Sequence, residues 1–104
     1  MSRVAMIMNW AGVTPEQYHQ VRDIVDWESN TPDGAVLHTA AFDANGLRVT
    51  DIWESAEQFN TFAATRLMPA VAQAGVSGAP NVEMYPAERI FVPGFTKAPA
   101  KEMA

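Results

Sequence analysis

Apolar positions recur along this chain with two different spacings. From Arg3 to Trp10, Val4, Met6, Met8 and Trp10 alternate with Ala5, Ile7 and Asn9, a run that predicts a strand covered on both faces. After Gly12 the spacing changes to the helical period. Thr14-Pro15-Glu16-Gln17 combines an N-cap threonine, a proline at the first helical position, an acid near the positive helix end and a capping-box glutamine. Tyr18, Val21, Val25 and Glu28 then follow one stripe broadened by Ile24, predicting a first helix that runs to Trp27 or Glu28. Ser29 to Gly34 is turn chemistry. Ala35 to Phe42 and Leu47 to Trp53 return to strand-like character, joined by Asp43-Ala44-Asn45-Gly46.

A second helix is predicted from Ser55, with Gln58 at the capping-box position and Phe59, Phe62, Ala63, Leu67, Ala70, Val71 and Ala74 in helical register. Pro69 predicts a kink in it and Gly75 a C-cap. Asn81 to Tyr85 and Arg89 to Val92 read as short strands separated by Pro86, which suits a sheet edge or a bulge. The tail from Thr96 to Ala104 lacks a hydrophobic pattern and is expected to be flexible.

The hairpin carries the chain's most informative polar residues. With a loop of residues 43 to 46, His38 faces Asp51 and Val36 faces Trp53. With the tight pair Asn45-Gly46 as the loop, His38 faces Trp53 instead. Because side chains alternate, His38, Asp51 and Trp53 share a sheet face under either register.

The order strand, helix, strand, strand, helix, strand predicts a single α+β domain over residues 1 to 95, a ferredoxin-like β-α-β-β-α-β unit with both helices on one face of an antiparallel sheet. That arrangement leaves the other sheet face bare. Since apolar residues occupy both faces of the hairpin, a second subunit is the simplest cover and a homodimer is expected.

Composition narrows the function classes. Seven Lys plus Arg against twelve Asp plus Glu give a net charge of −5, the wrong field for nucleic acid or an anionic membrane surface. A small-molecule partner is easier to accommodate. Zero cysteines exclude thiolate nucleophiles, disulfides and iron–sulfur ligation. No long apolar span or signal-like N-terminus is apparent, so the expected location is cytoplasmic.

The strand Trp53 followed by Glu54-Ser55, then Glu57, Phe59, Phe62, Arg66-Leu67-Met68-Pro69-Ala70 and Gly75, resembles the dimeric α+β barrel proteins of the antibiotic biosynthesis monooxygenase-like group. Element order extends the resemblance over residues 3 to 92, and the detailed pattern covers 47 to 75. That group includes cofactor-free monooxygenases acting on aromatic polyketides, haem-degrading monooxygenases and small polyketide cyclases. The resemblance implies a cavity between sheet and helices in each monomer. It also implies that Trp53 falls where an aromatic side chain lines that cavity, and that Asn9, on the first strand, helps bind oxygen or substrate. Strand-end hydrogen bonding is the other reading of Asn9, and core packing that of Trp53. The haem-degrading branch needs an iron-ligating histidine on the second helix, and residues 55 to 74 contain none. Neither a metal nor a cofactor is expected.

The residues themselves suggest His38 as a general base, with Asp51 opposite holding its tautomer and stabilising the charged form. A self-satisfying cross-strand pair is the alternative. Tyr18, on the apolar stripe of the first helix, and Tyr85 are candidates to offer a phenol to a ligand, whereas His19 and Arg66 are expected to face solvent. The resulting expectation is a cofactor-independent monooxygenase acting by proton abstraction on an aromatic or enolisable substrate. Polyketide cyclase-type aldol chemistry, or a non-catalytic small-ligand-binding or stress-associated barrel, are the alternatives.

Overall fold

A computed structural model describes residues 3–94. The expectation for the tail from Thr96 onward lies outside the described residues. Eight segments follow in the order β1 (Val4–Ala11), α1 (Pro15–Val25), β2 (Ala35–Asp43), β3 (Gly46–Trp53), α2 (Ala56–Phe62), a π-helical turn (Ala63–Leu67), α3 (Met68–Gln73) and β4 (Asn81–Pro86). The strands form one antiparallel sheet in the order β2-β3-β1-β4. This is the α+β, ferredoxin-like arrangement, with β1 and β3 central and β4, which ends in Pro86, at an edge.

Alternation on the central strands decides which side faces the helices. Met6, Met8 and Trp10 of β1 and Leu47, Val49, Asp51 and Trp53 of β3 are buried, while their neighbours in sequence are more exposed. Val25, Phe59, Phe62, Ala70 and Val71 complete the core from the helical side. The opposite face carries Ala5, Ile7, Asn9, Leu37, Arg48, Ile52, Glu83 and Tyr85. It is therefore mixed rather than apolar, and the helices of this chain cover β1 on one face.

Local chemistry explains most element ends. The Thr14 side chain accepts from Gln17 N–H while the Gln17 side chain accepts from Thr14 N–H, so both halves of the capping box form. At Ser55 only the first half forms, because the Gln58 side-chain oxygen accepts instead from the Ser55 hydroxyl. Helix α1 stops at Val25, short of the predicted Trp27 or Glu28: Asp26 turns left-handed (φ 57°) and donates its N–H to Arg22 O. Gly75 ends α3 in a Schellman pair, its N–H bonding to Ala72 O and that of Val76 to Val71 O.

The helix-breaking effect of Pro69 is absorbed upstream. Proline cannot donate to the carbonyl four residues back and would crowd it. The π-helical turn, in which Met68 N–H reaches Ala63 O, changes the register just before it, so α2 and α3 run on without a break. Arg66 in that turn does not face solvent as the sequence suggested. It donates to Val25 O (2.6 Å) and Asn30 O (2.7 Å), capping the end of α1, and its guanidinium lies over Phe62.

The hairpin takes the register that sets His38 against Asp51 and Phe42 against Leu47. Asn45 does not adopt positive φ. Instead the Asp43 carboxylate accepts from the N–H groups of Asn45 and Gly46, and the Arg48 guanidinium, the largest cause, holds its pKa below the usual carboxylate range. Val36 does not oppose Trp53, since a bulge between Ala35 and Leu37 leaves it unpaired and Ala35 faces Trp53. The segment Arg89 to Val92 is not a strand.

Gly46 is set by the neighbouring strand as much as by the turn. A Cβ there would lie 2.5 Å from Trp10 O and 2.7 Å from Gly12 N, both backbone atoms, at φ +141°. Gly46→Ala is expected to lower the unfolding free energy by roughly 1–3 kcal/mol, read from urea denaturation midpoints. An unchanged midpoint would mean that the β1 end yields freely.

Candidate active site

Between the sheet and the helices lies a cavity of about 120 Å³, and nearly all of its wall is apolar. Its floor is built by Met6, Met8 and Val49 from the sheet, with Phe59 and Phe62 from the helical rod. Polar groups collect at the mouth, where α1 supplies Tyr18 and Arg22, the turn after α1 supplies Glu28, and β2 supplies His38. Asp51 reaches the cavity wall from β3 below them.

These side chains form a continuous hydrogen-bonded line. Trp53 Nε1–H donates to Asp51 Oδ2 (3.0 Å), and Asp51 Oδ1 lies 2.7 Å from His38 Nδ1. Tyr18 Oη lies 2.7 Å from His38 Nε2. An indole can only donate, so a carboxylate that accepts on both oxygens puts the imidazole proton on Nδ1. The Nε2 lone pair is then left to accept from the Tyr18 hydroxyl. Burial is the main cause that raises the Tyr18 pKa, which keeps the phenol a neutral donor.

Each member is placed by a local feature. His38 and Asp51 are cross-strand partners in the β2–β3 register, and Tyr18 occupies the inward stripe of α1. The Asp51 side chain is only 4% exposed against 23% for His38, so the carboxylate is the buried anchor and the imidazole the reachable end. Trp27 closes the far side: its ring centroid is 4.7 Å from that of His38, and it meets Trp53 and Phe62 edge-on.

The structure thus brings His38, Asp51 and Tyr18 together at the cavity and separates the other predicted ligand contacts from it. Trp53 is fully buried behind the wall, touching Asp51, Phe59 and Phe62, so its place is in the core. Asn9 points to the opposite sheet face, where its Oδ1 accepts from Arg48 (2.9 Å). Tyr85 is on that same outer face, donating to Glu83 and 53% exposed. Strand alternation is the reason in both cases: Asn9 pairs with Arg48 and Tyr85 with Ala5, both outward positions.

Trp27 is one of the cavity residues that the sequence did not point to. A continued helix would set Trp27 on the side opposite Tyr18, and the left-handed turn at Asp26 instead brings it back over His38. Arg22 was missed as well, although it follows Tyr18 by four positions and therefore shares its helix face. Among the described residues, no group of three histidine, cysteine, aspartate or glutamate side chains could hold a metal ion. No helix among them is long and apolar enough to cross a membrane.

The chain has a ferredoxin-like α+β fold with a cavity between sheet and helices, and it shares that fold with several solved structures. Among solved structures, the chain is similar to SnoaB, a cofactor-independent oxygenase from Streptomyces nogalater, at 14% identity and a TM-score of 0.65, covering 86% of this chain and 97% of that one. It is also similar to a candidate antibiotic biosynthesis monooxygenase from Caulobacter crescentus CB15 (16% identity, TM-score 0.61, covering 85% of this chain and 92% of that one). A protein of unknown function from Nitrosomonas europaea, NE2512, matches at 17% identity and a TM-score of 0.62, covering 89% and 96%. No protein-family model and no curated protein sequence matches the chain.

Proposed function

We propose that this protein is a small-molecule enzyme, a cofactor-independent oxygenase that begins by taking a proton from an enolisable substrate. The observation that carries this reading is the 2.7 Å contact between His38 Nδ1 and the buried Asp51 carboxylate, with Nε2 directed to the cavity mouth. An entering substrate displaces the Tyr18 hydroxyl from Nε2. His38 then removes the proton next to the carbonyl, Asp51 stabilises the imidazolium, and the Tyr18 O–H donates to the enolate oxygen.

The resulting carbanion supplies the electrons that reduce dioxygen. Carbon–oxygen bond formation gives a peroxide that takes its proton back from His38, and loss of water leaves a new carbonyl; overall a CH₂ and O₂ become C=O and H₂O. The likeness to SnoaB supports the oxygenase reading at the level of fold. The cavity volume favours a small substrate over cyclisation of an extended chain, which would have to be held folded as a whole. The deciding experiment follows deuterium incorporation next to the carbonyl, and dioxygen uptake, when protein without added metal or flavin meets single-ring enolisable ketones. Accelerated exchange with uptake supports the proposal, whereas no acceleration of either removes it.

We also propose that a second copy of the chain covers the outer sheet face. Ile7, 36% exposed, sits there beside the half-buried Ala5, Leu37 and Ile52. Sedimentation should give the dimer mass at micromolar concentration, and Ile7→Glu should shift it toward the monomer.

A further inference from the structure

The cavity is graded from floor to rim in a way that specifies what it holds. Met6, Met8, Phe59 and Phe62 are all buried and offer nothing but apolar surface. Half-buried Tyr18 and His38 come next, and exposed Arg22 stands at the rim one helical turn beyond Tyr18. The volume of about 120 Å³ is close to that of apolar protein cavities that accept a single benzene ring.

Arg22 differs from the other described arginines in how little it is committed. Arg3 pairs with Glu54, Arg48 with Asp43 and Asn9, and Arg66 with two backbone carbonyls, while Arg89 lies over Phe91. The Arg22 guanidinium makes one long contact, 3.4 Å, to its exposed sequence neighbour Asp23. Residues four apart on a helix stand about 5–6 Å apart at Cβ. A group bound at Arg22 is therefore within a few bonds of one reacting at Tyr18 and His38.

Resting on the proposed proton abstraction, we infer that the substrate is a monoanionic aryl acid, with one aromatic ring on the cavity floor, an enolisable carbon at His38 and a carboxylate held by Arg22. Guanidinium matches carboxylate geometry with two parallel hydrogen bonds. Glu28 also lines the cavity and repels anions, which restricts the ligand to a single carboxylate positioned on the Arg22 side. The volume of about 120 Å³ suits one ring better than two or three.

The test compares two probes that share a ring and an acidic CH₂, phenylpyruvate with a carboxylate and phenylacetone without one. Deuterium incorporation is followed by NMR and corrected for the rate without protein. Arg22→Gln should reduce catalysed exchange of phenylpyruvate about tenfold more than that of phenylacetone, since only phenylpyruvate loses a charge-assisted bond to the guanidinium. Glu28→Gln should raise the phenylpyruvate rate. If Arg22→Gln slows both probes equally or neither, the carboxylate assignment is overturned while the His38 base stands. If neither probe exchanges with wild-type protein, the base reading fails and this inference with it.

Discussion

Catalysed proton exchange should fall by about 10²–10⁴-fold in His38→Ala, the usual contribution of a positioned acid–base group. Asp51→Asn should lose a similar factor for a different reason. A carboxylate accepts from both Trp53 Nε1 and His38 Nδ1, but an amide has one acceptor and one donor group. If the amide oxygen keeps the indole, its NH₂ faces Nδ1, the imidazole proton moves to Nε2, and the lone pair that served as base is gone. His38→Gln separates chemistry from folding, because its amide can still donate to Asp51 while supplying no base. Near-native unfolding with lost exchange in His38→Gln is the expected pair of results. Wild-type exchange rates in both His38→Ala and Asp51→Asn would end the case for the dyad.

The largest stability effect is expected at Trp53. Its side chain is fully buried, contacts the rings of Trp27, Phe59 and Phe62, and donates its one N–H to Asp51. Trp53→Ala combines a core cavity with an unmatched carboxylate oxygen, and a loss of about 3–5 kcal/mol is expected from the first of these alone. Trp53→Phe retains most of the packing and removes only the donor, so its cost should be nearer 1–3 kcal/mol. Urea denaturation of both variants measures the difference. A loss under about 1 kcal/mol in Trp53→Ala would assign the indole to a ligand-facing wall rather than to the core.

Much of the fold was legible because its signals are local. Thr14 and Gln17 cap a helix whatever surrounds them, Gly75 closes a Schellman turn, and the alternation of Met6, Met8 and Trp10 survives as the buried face of β1. The misreadings came where tertiary contacts compete with local pattern. Glu28 extended the helical stripe on paper, yet the left-handed Asp26 ended the helix at Val25. Arg66 read as a solvated charge because nothing in residues 55 to 74 hints that Val25 at the end of α1 and Asn30 in the turn after it each offer it a carbonyl. The family resemblance drew Asn9 to the cavity and residue type drew Tyr85, and strand parity places both on the other face.

By itself the sequence determined the α+β element order, the two helix starts and the shared face of His38, Asp51 and Trp53, because capping chemistry and the two-residue period of a strand act over a few positions. Only the tertiary structure decided the rest: which register the hairpin takes, that Tyr18 closes onto His38 from another element, and that Trp27 and Arg22 bound the cavity. Those relations depend on how α1 lies across the sheet and on a single left-handed residue, and neither is encoded in any local run of side chains.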